Sequence, residues 1–199
     1  FVDADDQLIQ HPYEQCIDII RNHQNVDMVL FDFSHLLNEE TTQKSVKPVS
    51  GSEYMCNNNI HGTACGYIFR RNILGELRFT SGIYHEDEEF TPQLLLRAET
   101  VYPTHAKAYF YRQRQESIIS SKKDTNIHKR LKDKEGIIKR LLYLCDRQPH
   151  QDRLALQRRV AQLTMDYLYN IIMLTRSNKM LNEQIENLHG EGLIPLPKA

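Results

Sequence analysis

Apolar and polar positions alternate along the first third of the chain with the periods of strands and helices in turn. Phe1-Val2 are strand-forming residues that run straight into three carboxylates, Asp3, Asp5 and Asp6. This is the pattern of a short buried strand ending in an acidic turn. Pro12 then opens a helix from His11 to about Asn22, its buried stripe supplied by Cys16, Ile17, Ile19 and Ile20. Val26 to Phe33 reads as a second strand, with Val29, Phe31 and Phe33 on one face and Met28, Leu30 and Asp32 on the other. Strand, helix, strand in that order predicts an α/β domain with a partly parallel sheet.

Farther on, Leu36 to Asn59 is polar and carries turn residues, so it reads as a variable loop or hairpin, part of it able to close over a ligand. Gly66 to Phe69 predicts a buried strand leading into a short helix, preceded by small residues that permit close backbone approach. His85-Glu86-Asp87-Glu88-Glu89 places acids where a helix begins, with Phe90 and Leu94-Leu95-Leu96 as its apolar body. Thr100–Pro103 and Lys107–Tyr111 read as two short strands. From about Thr125 the period becomes helical throughout. One helix carries Ile127, Leu131, Ile138, Leu141, Leu142 and Cys145 and stops before Pro149. A longer one runs from about Asp152 to His189, its seam interrupted at Asn178. That stretch is long enough for a helical hairpin packed on the domain or for a coiled coil that forms a homodimer.

Composition narrows the classes. In 199 residues, 40% are hydrophobic and 26% charged, with few Gly and Pro, so a packed soluble domain is expected and extensive disorder is not. The formal net charge of −1 argues against a dedicated nucleic-acid binder. Cys16, Cys56, Cys65 and Cys145 have no CxxC spacing and read as the reduced thiols of a cytoplasmic protein. The apolar runs are too short to span a bilayer. Lys122 to Arg140 holds eight basic residues against three acids. Such a run is either a solvated helix face or a peripheral contact with an anionic membrane. The chain opens in mid-strand without Met, which predicts a fragment or a processed product.

The chemistry sits in the acids. Three carboxylates within four positions repel one another unless a cation lies among them, and Mg²⁺ or Mn²⁺ takes one or two carboxylates together with phosphate oxygens. The bland alternative is a solvated acidic turn. A second acidic cluster in the same domain favours a site, one cluster for the metal and the other for a general base. Arg112 and Arg114, alternating beside Ser117, have the spacing either to grip a diphosphate or to line a solvated strand edge.

Taken together, FVDADDQL, VDMVLFDF, GTACGYIFRRNIL and GIYHEDEEFTPQLLLRAETVYPTHAKAYFYRQRQESI resemble the family 2 inverting glycosyltransferases of the GT-A fold, especially bacterial members that build surface polysaccharides. The resemblance covers residues 1–120 and implies the C-terminal part of a Rossmann-like mixed sheet with flanking helices; residues 121–199 would be an α-helical extension. It implies that Asp3 and Asp5, with Asp6 adjacent, bind Mn²⁺ or Mg²⁺ and the diphosphate of a nucleotide-sugar donor such as a UDP-sugar. Asp87 would be the base that deprotonates the acceptor hydroxyl of a glycan or lipid-linked acceptor, and Glu86 would orient that acceptor. Arg112 and Arg114 would approach the diphosphate. The location implied is cytoplasmic, or peripheral at the inner face of the membrane. The βαβ half that holds the nucleotide base in that family has no counterpart here, so the chain by itself is expected to show little or no sugar transfer.

Two other readings compete. An apolar strand ending Asp-x-Asp also starts the haloacid-dehalogenase phosphatases, with the first Asp as nucleophile. Those expect Thr or Val two residues after the second Asp, where this chain has Gln7, and they give the HEDEEF helix no role. A non-enzymatic metal-binding or helical dimerisation module is the other.

Overall fold

Strand β2 (Met28–Ser34) and helix α1 (Gln10–Asn22) divide the molecule into layers in a computed structural model that describes residues 1–37, 46–112 and 124–194. The alternation read from the sequence sorts the two faces of β2. Val29 and Phe31 join Cys16 of α1 in one apolar cluster, and Met28 faces a larger cluster on the opposite side. The chain is an α/β protein built on a mixed sheet. Its strands are β1 (Gln7–Leu8), β2, β3 (Tyr67–Phe69) and β4 (Val101–Phe110), in the order β1-β4-β2-β3. β2 and β4 are parallel, whereas β1–β4 and β2–β3 are antiparallel.

The start of the chain departs from the sequence expectation. Phe1 and Val2 form no strand and are 54% and 50% exposed. The Asp residues occupy a turn, closed by Asp6 N–H donating to the Asp3 carbonyl at 3.2 Å, and the edge strand starts only at Gln7. What fixes Phe1 is side-chain packing. Its ring meets Phe79 edge-on at 5.3 Å and Phe90 at 6.0 Å, and those two rings stack at 4.0 Å.

The two strands expected over residues 100–111 are one, β4, broken by bulges. Leu30 is opposite Pro103 but Asp32 is opposite Lys107, so β4 carries residues outside the ladder at Thr104–Ala106. Within the polar stretch after Leu36 lies a helix, α2 (Gly51–Asn57), where the sequence reading had a loop or hairpin. Ser50 caps it by accepting from Glu53 N–H at 3.1 Å. The short helix α3 (Arg71–Leu74) follows β3, and α4 (Glu86–Leu95) begins at the second acidic cluster.

Helix α5 (Asp124–Cys145) packs against α6 (His150–Thr175), and both lie on the larger cluster. The stretch from Asp152 to His189, open to a long helix or a helical hairpin, is two helices. Arg176 takes the left-handed conformation at φ 51°, and Ser177 caps α7 (Asn178–Gly190) by accepting from Met180 N–H at 3.2 Å. An N-cap serine after a left-handed residue ends one helix and starts the next. Leu156, Val160, Leu163, Tyr167 and Ile171 of α6 are buried together with Met55, Phe90 and Leu94, so one core joins residues 1–112 to the C-terminal helices. Among the described residues no helix is long and apolar enough to cross a membrane.

Candidate functional site

Helix α4 supplies the acids of the site, and each does something different. Glu89 is buried and fully paired, with both its oxygens 2.8 Å from Arg140 and one accepting from Thr80 Oγ1 at 3.0 Å. Glu88 pairs with Arg159 of α6, whose side chain is 2% exposed. The same guanidinium donates to the Ile60 carbonyl at 2.8 Å. Gly62 sits in this junction because a Cβ there would come within 2.7 Å of the Glu88 Cα. Glu86 is exposed. Asp87 is half-buried and accepts from Glu88 N–H at 3.0 Å.

Burial pushes the Asp87 carboxyl up to about 6; the charge of Glu86 adds to this and that of Asp3 adds further. The acidic turn packs towards α4, where Phe1 meets the ring of Phe90 at 6.0 Å, so Asp3 lies within electrostatic reach of Asp87, its charge a smaller influence than burial and Glu86. Asp3 is fixed by its backbone N–H donating to the Tyr109 hydroxyl at 3.1 Å. Burial, and then the Cys65 thiol beside it, hold the Tyr109 phenol well above its ordinary range. Burial raises Cys65 too, with the negative charge of Asp3 adding to it. Tyr67 on β3 donates to or accepts from Thr91 Oγ1 at 3.0 Å; burial first, and then the charge of Asp87, raise its phenol. Asp3, Cys65, Tyr67, Asp87 and Tyr109 thus form one electrostatic neighbourhood.

Asp6 and Arg112 close the acidic turn. Asp6 Oδ1 accepts from Arg112 N–H at 2.9 Å, and Arg112 Nε donates to the Asp5 carbonyl at 3.0 Å. Arg112 is thereby placed beside the Asp residues, and Arg114 lies outside the described residues. From the far side, α5 and α6 bring cations. Lys134 is 7% exposed, and burial lowers its pKa while the charges of Asp166 and Asp87 act against that. His85, left-handed at φ 61° before α4, is pushed down to about 4 by burial and then by Lys134 and Arg130. Three other cations of the basic run are in ion pairs: Lys129 with Asp133, Lys139 with Glu135 and Glu191, and Arg140 with Glu89.

Tyr67, Tyr109, Lys134 and Arg159 were not singled out in the sequence. Nothing local to them signals a site, since each arrives through sheet pairing or helix docking. A cation on the acidic turn is chemically consistent with what is present. Asp3 and Asp5 offer hard oxygen donors, and the mutual repulsion of Asp3 and Asp87 is of the kind a divalent ion relieves. Among the described residues no group of three or more His, Cys, Asp or Glu side chains forms a metal centre, so a bound ion would need ligand or water oxygens to complete its shell. Compared with known proteins, the chain matches no family model and no curated sequence.

Proposed function

We propose that the chain carries the metal and acceptor half of an inverting glycosyltransferase of the GT-A type, moving a sugar from a nucleoside diphosphate to an acceptor hydroxyl. The observation that carries this reading is the packing of the acidic turn against α4 through Phe1 and Phe90, which brings Asp3 within electrostatic reach of Asp87. A carboxylate suited to holding a diphosphate through a cation lies within electrostatic reach of one whose pKa is raised towards the range of a general base. Asp3 and Asp5 would hold Mn²⁺ or Mg²⁺, which neutralises the diphosphate and so stabilises the leaving group. Arg112, fixed on the same turn, adds positive charge there. Asp87 takes the proton of the acceptor hydroxyl. That oxygen attacks the anomeric carbon from the face opposite the diphosphate, and the bond from that carbon to the diphosphate oxygen breaks. The configuration inverts and the nucleoside diphosphate departs with the bonding pair. Tyr67 and Tyr109 remain neutral and protonated beside these groups, able to donate without adding charge.

Two measurements test it. Calorimetry of UDP with and without Mn²⁺ is expected to show binding that needs the metal and weakens at least about tenfold in Asp3→Asn and Asp5→Asn. In a protein carrying this chain together with a nucleotide-binding βαβ half, Asp87→Asn is expected to lower sugar transfer by about 10²–10⁴-fold. Metal-dependent UDP binding that is indifferent to Asp5 removes the donor site. Turnover that survives Asp87→Asn removes the base.

A further inference from the structure

Where β4 leaves the ladder, the sheet opens into a cavity of about 220 Å³ between β2, β4 and the segment after α2. The bulge is a stitched feature. Thr104 Oγ1 donates to the Leu30 carbonyl at 2.6 Å and accepts from Ala106 N–H at 3.4 Å. Between those two residues His105 is turned to Asp32, with Nδ1 and Oδ2 3.2 Å apart. With the proton on Nδ1, the carboxylate is the acceptor and Nε2 keeps a lone pair. Opposite this pair the wall presents amides from Asn58 and Asn59, the imidazole of His61 and the ring of Tyr54. Helix α6 sets that wall: Arg158 donates to Asn59 Oδ1 at 3.2 Å, and Arg159 and Gln162 both donate to the Ile60 carbonyl. At its inner end the cavity reaches Tyr67 and Thr91, one helical turn from Asp87.

We propose that this cavity is the acceptor subsite and that it takes a single uncharged, hydroxyl-rich ring of monosaccharide size, read through Asp32 and His105. The assignment rests on the glycosyl-transfer reading above. The lining decides the chemistry. Among the described residues no Lys or Arg lines the cavity, so an anionic ring would face Asp32 without compensation. An apolar ring would offer no hydrogen-bond donor to the second oxygen of the Asp32 carboxylate or to the Nε2 lone pair of His105. Vicinal hydroxyls satisfy them, two donors to one carboxylate, with the aromatic side chains left to cover C–H faces. The volume sets the size: pockets for larger ligands run to about 300–1,000 Å³, so one ring fits and a chain of them extends outside.

Saturation-transfer NMR on the 199-residue chain tests this, using the methyl glycosides of glucose, galactose, mannose and N-acetylglucosamine. Glucose 6-phosphate and methyl glucuronide serve as charged rings and cyclohexanol as an apolar one. At least one neutral glycoside is expected to bind, more tightly than any charged or apolar ring. Its affinity is expected to fall at least about tenfold in Asp32→Leu and in His105→Ala, because a site built around hydroxyl hydrogen bonds is sensitive to losing them. Both positions are half or more exposed, so these variants keep the fold, which their melting temperatures check. Binding by none of the four glycosides overturns the proposal, as does equal binding of the charged rings or binding that survives both substitutions. UDP and Mn²⁺ titrated into the unsubstituted chain separate the two readings. Glycoside binding without metal-dependent UDP binding sinks the transferase and leaves a sugar site. The reverse sinks the cavity alone.

Discussion

Asp87 is charged at neutral pH in a place that disfavours charge, and this fixes the sign of its effect on stability. Its carboxyl sits at about 6 in the folded chain against 3.8 for the ordinary group, so between those values the folded state holds more protons than the unfolded one. Stability contributed by the protonated form is present below 3.8 and is lost as pH rises through 6. Asp87→Asn keeps an oxygen to accept from Glu88 N–H and removes the charge. In the presence of a chelator it is expected to raise stability at pH 7 by about 1–2 kcal/mol, after discounting for solvent screening. The gain is expected to shrink towards pH 4. His85 acts in the opposite sense. Held at about 4 against 6.5, it resists protonation when folded and costs stability as pH falls through that window. Melting temperatures across pH, with and without Asp87, would show a steeper acid loss in the variant. A flat difference between the two proteins would reject the assignment. Asp3 and Asp87 could be named from the sequence because acids crowded near strand and helix ends are a local signal. Tyr109 and Cys65 could not, because their place beside Asp3 depends on the fold.

Helix α6 packs on α5 and α2 and reaches α4 through one buried side chain. Arg159 joins Glu88 and the Ile60 carbonyl in the interior. Arg159→Ala strands both and is expected to cost about 3–5 kcal/mol in urea unfolding, the usual range for breaking a buried pair. Arg159→Met combined with Glu88→Gln is expected to recover at least half of that loss. If the double variant is as unstable as Arg159→Ala, packing and not the ion pair is what Arg159 supplies. The elements themselves were largely visible. Helix α1, strand β2 and the start of α4 follow from apolar period, from Pro12 in the first turn of α1 and from the acids in the first turn of α4. The misses have specific causes. Thr104 to Ala106 broke the β4 signal because a bulge interrupts alternation without ending the strand. Ser50 and Glu53 have capping-box spacing, but the Asn run beyond α2 masked so short a helix. The Asp152–His189 stretch shows the Arg176–Ser177 break only as the interruption of its seam at Asn178, after which the apolar spacing resumes because α7 folds its own apolar residues back onto the same core.

The larger apolar cluster ties the C-terminal helices to the sheet, and nothing in the sequence pattern indicated how closely. Period alone says which face of a helix is apolar, not what covers it. Five large side chains of α6 are buried in that cluster: Leu156, Val160, Leu163, Tyr167 and Ile171. At about 1.5–3 kcal/mol each, their burial is comparable to the whole stability of about 5–15 kcal/mol that a domain commonly has. A chain ending at residue 148 is therefore expected to lose its cooperative thermal transition, measured by circular dichroism. A sharp transition retained by that truncation would show that the sheet and its helices stand alone. The same dependence governs how the protein is made. Residues up to Phe110 emerge from the ribosome with the larger cluster only partly covered, and Ile171, the last of the buried α6 side chains, follows roughly 3–12 s later at ordinary rates of translation. For that interval the nascent chain displays part of its apolar cluster to solvent, so holdase chaperones, and the codon usage between α5 and α6, become determinants of its yield.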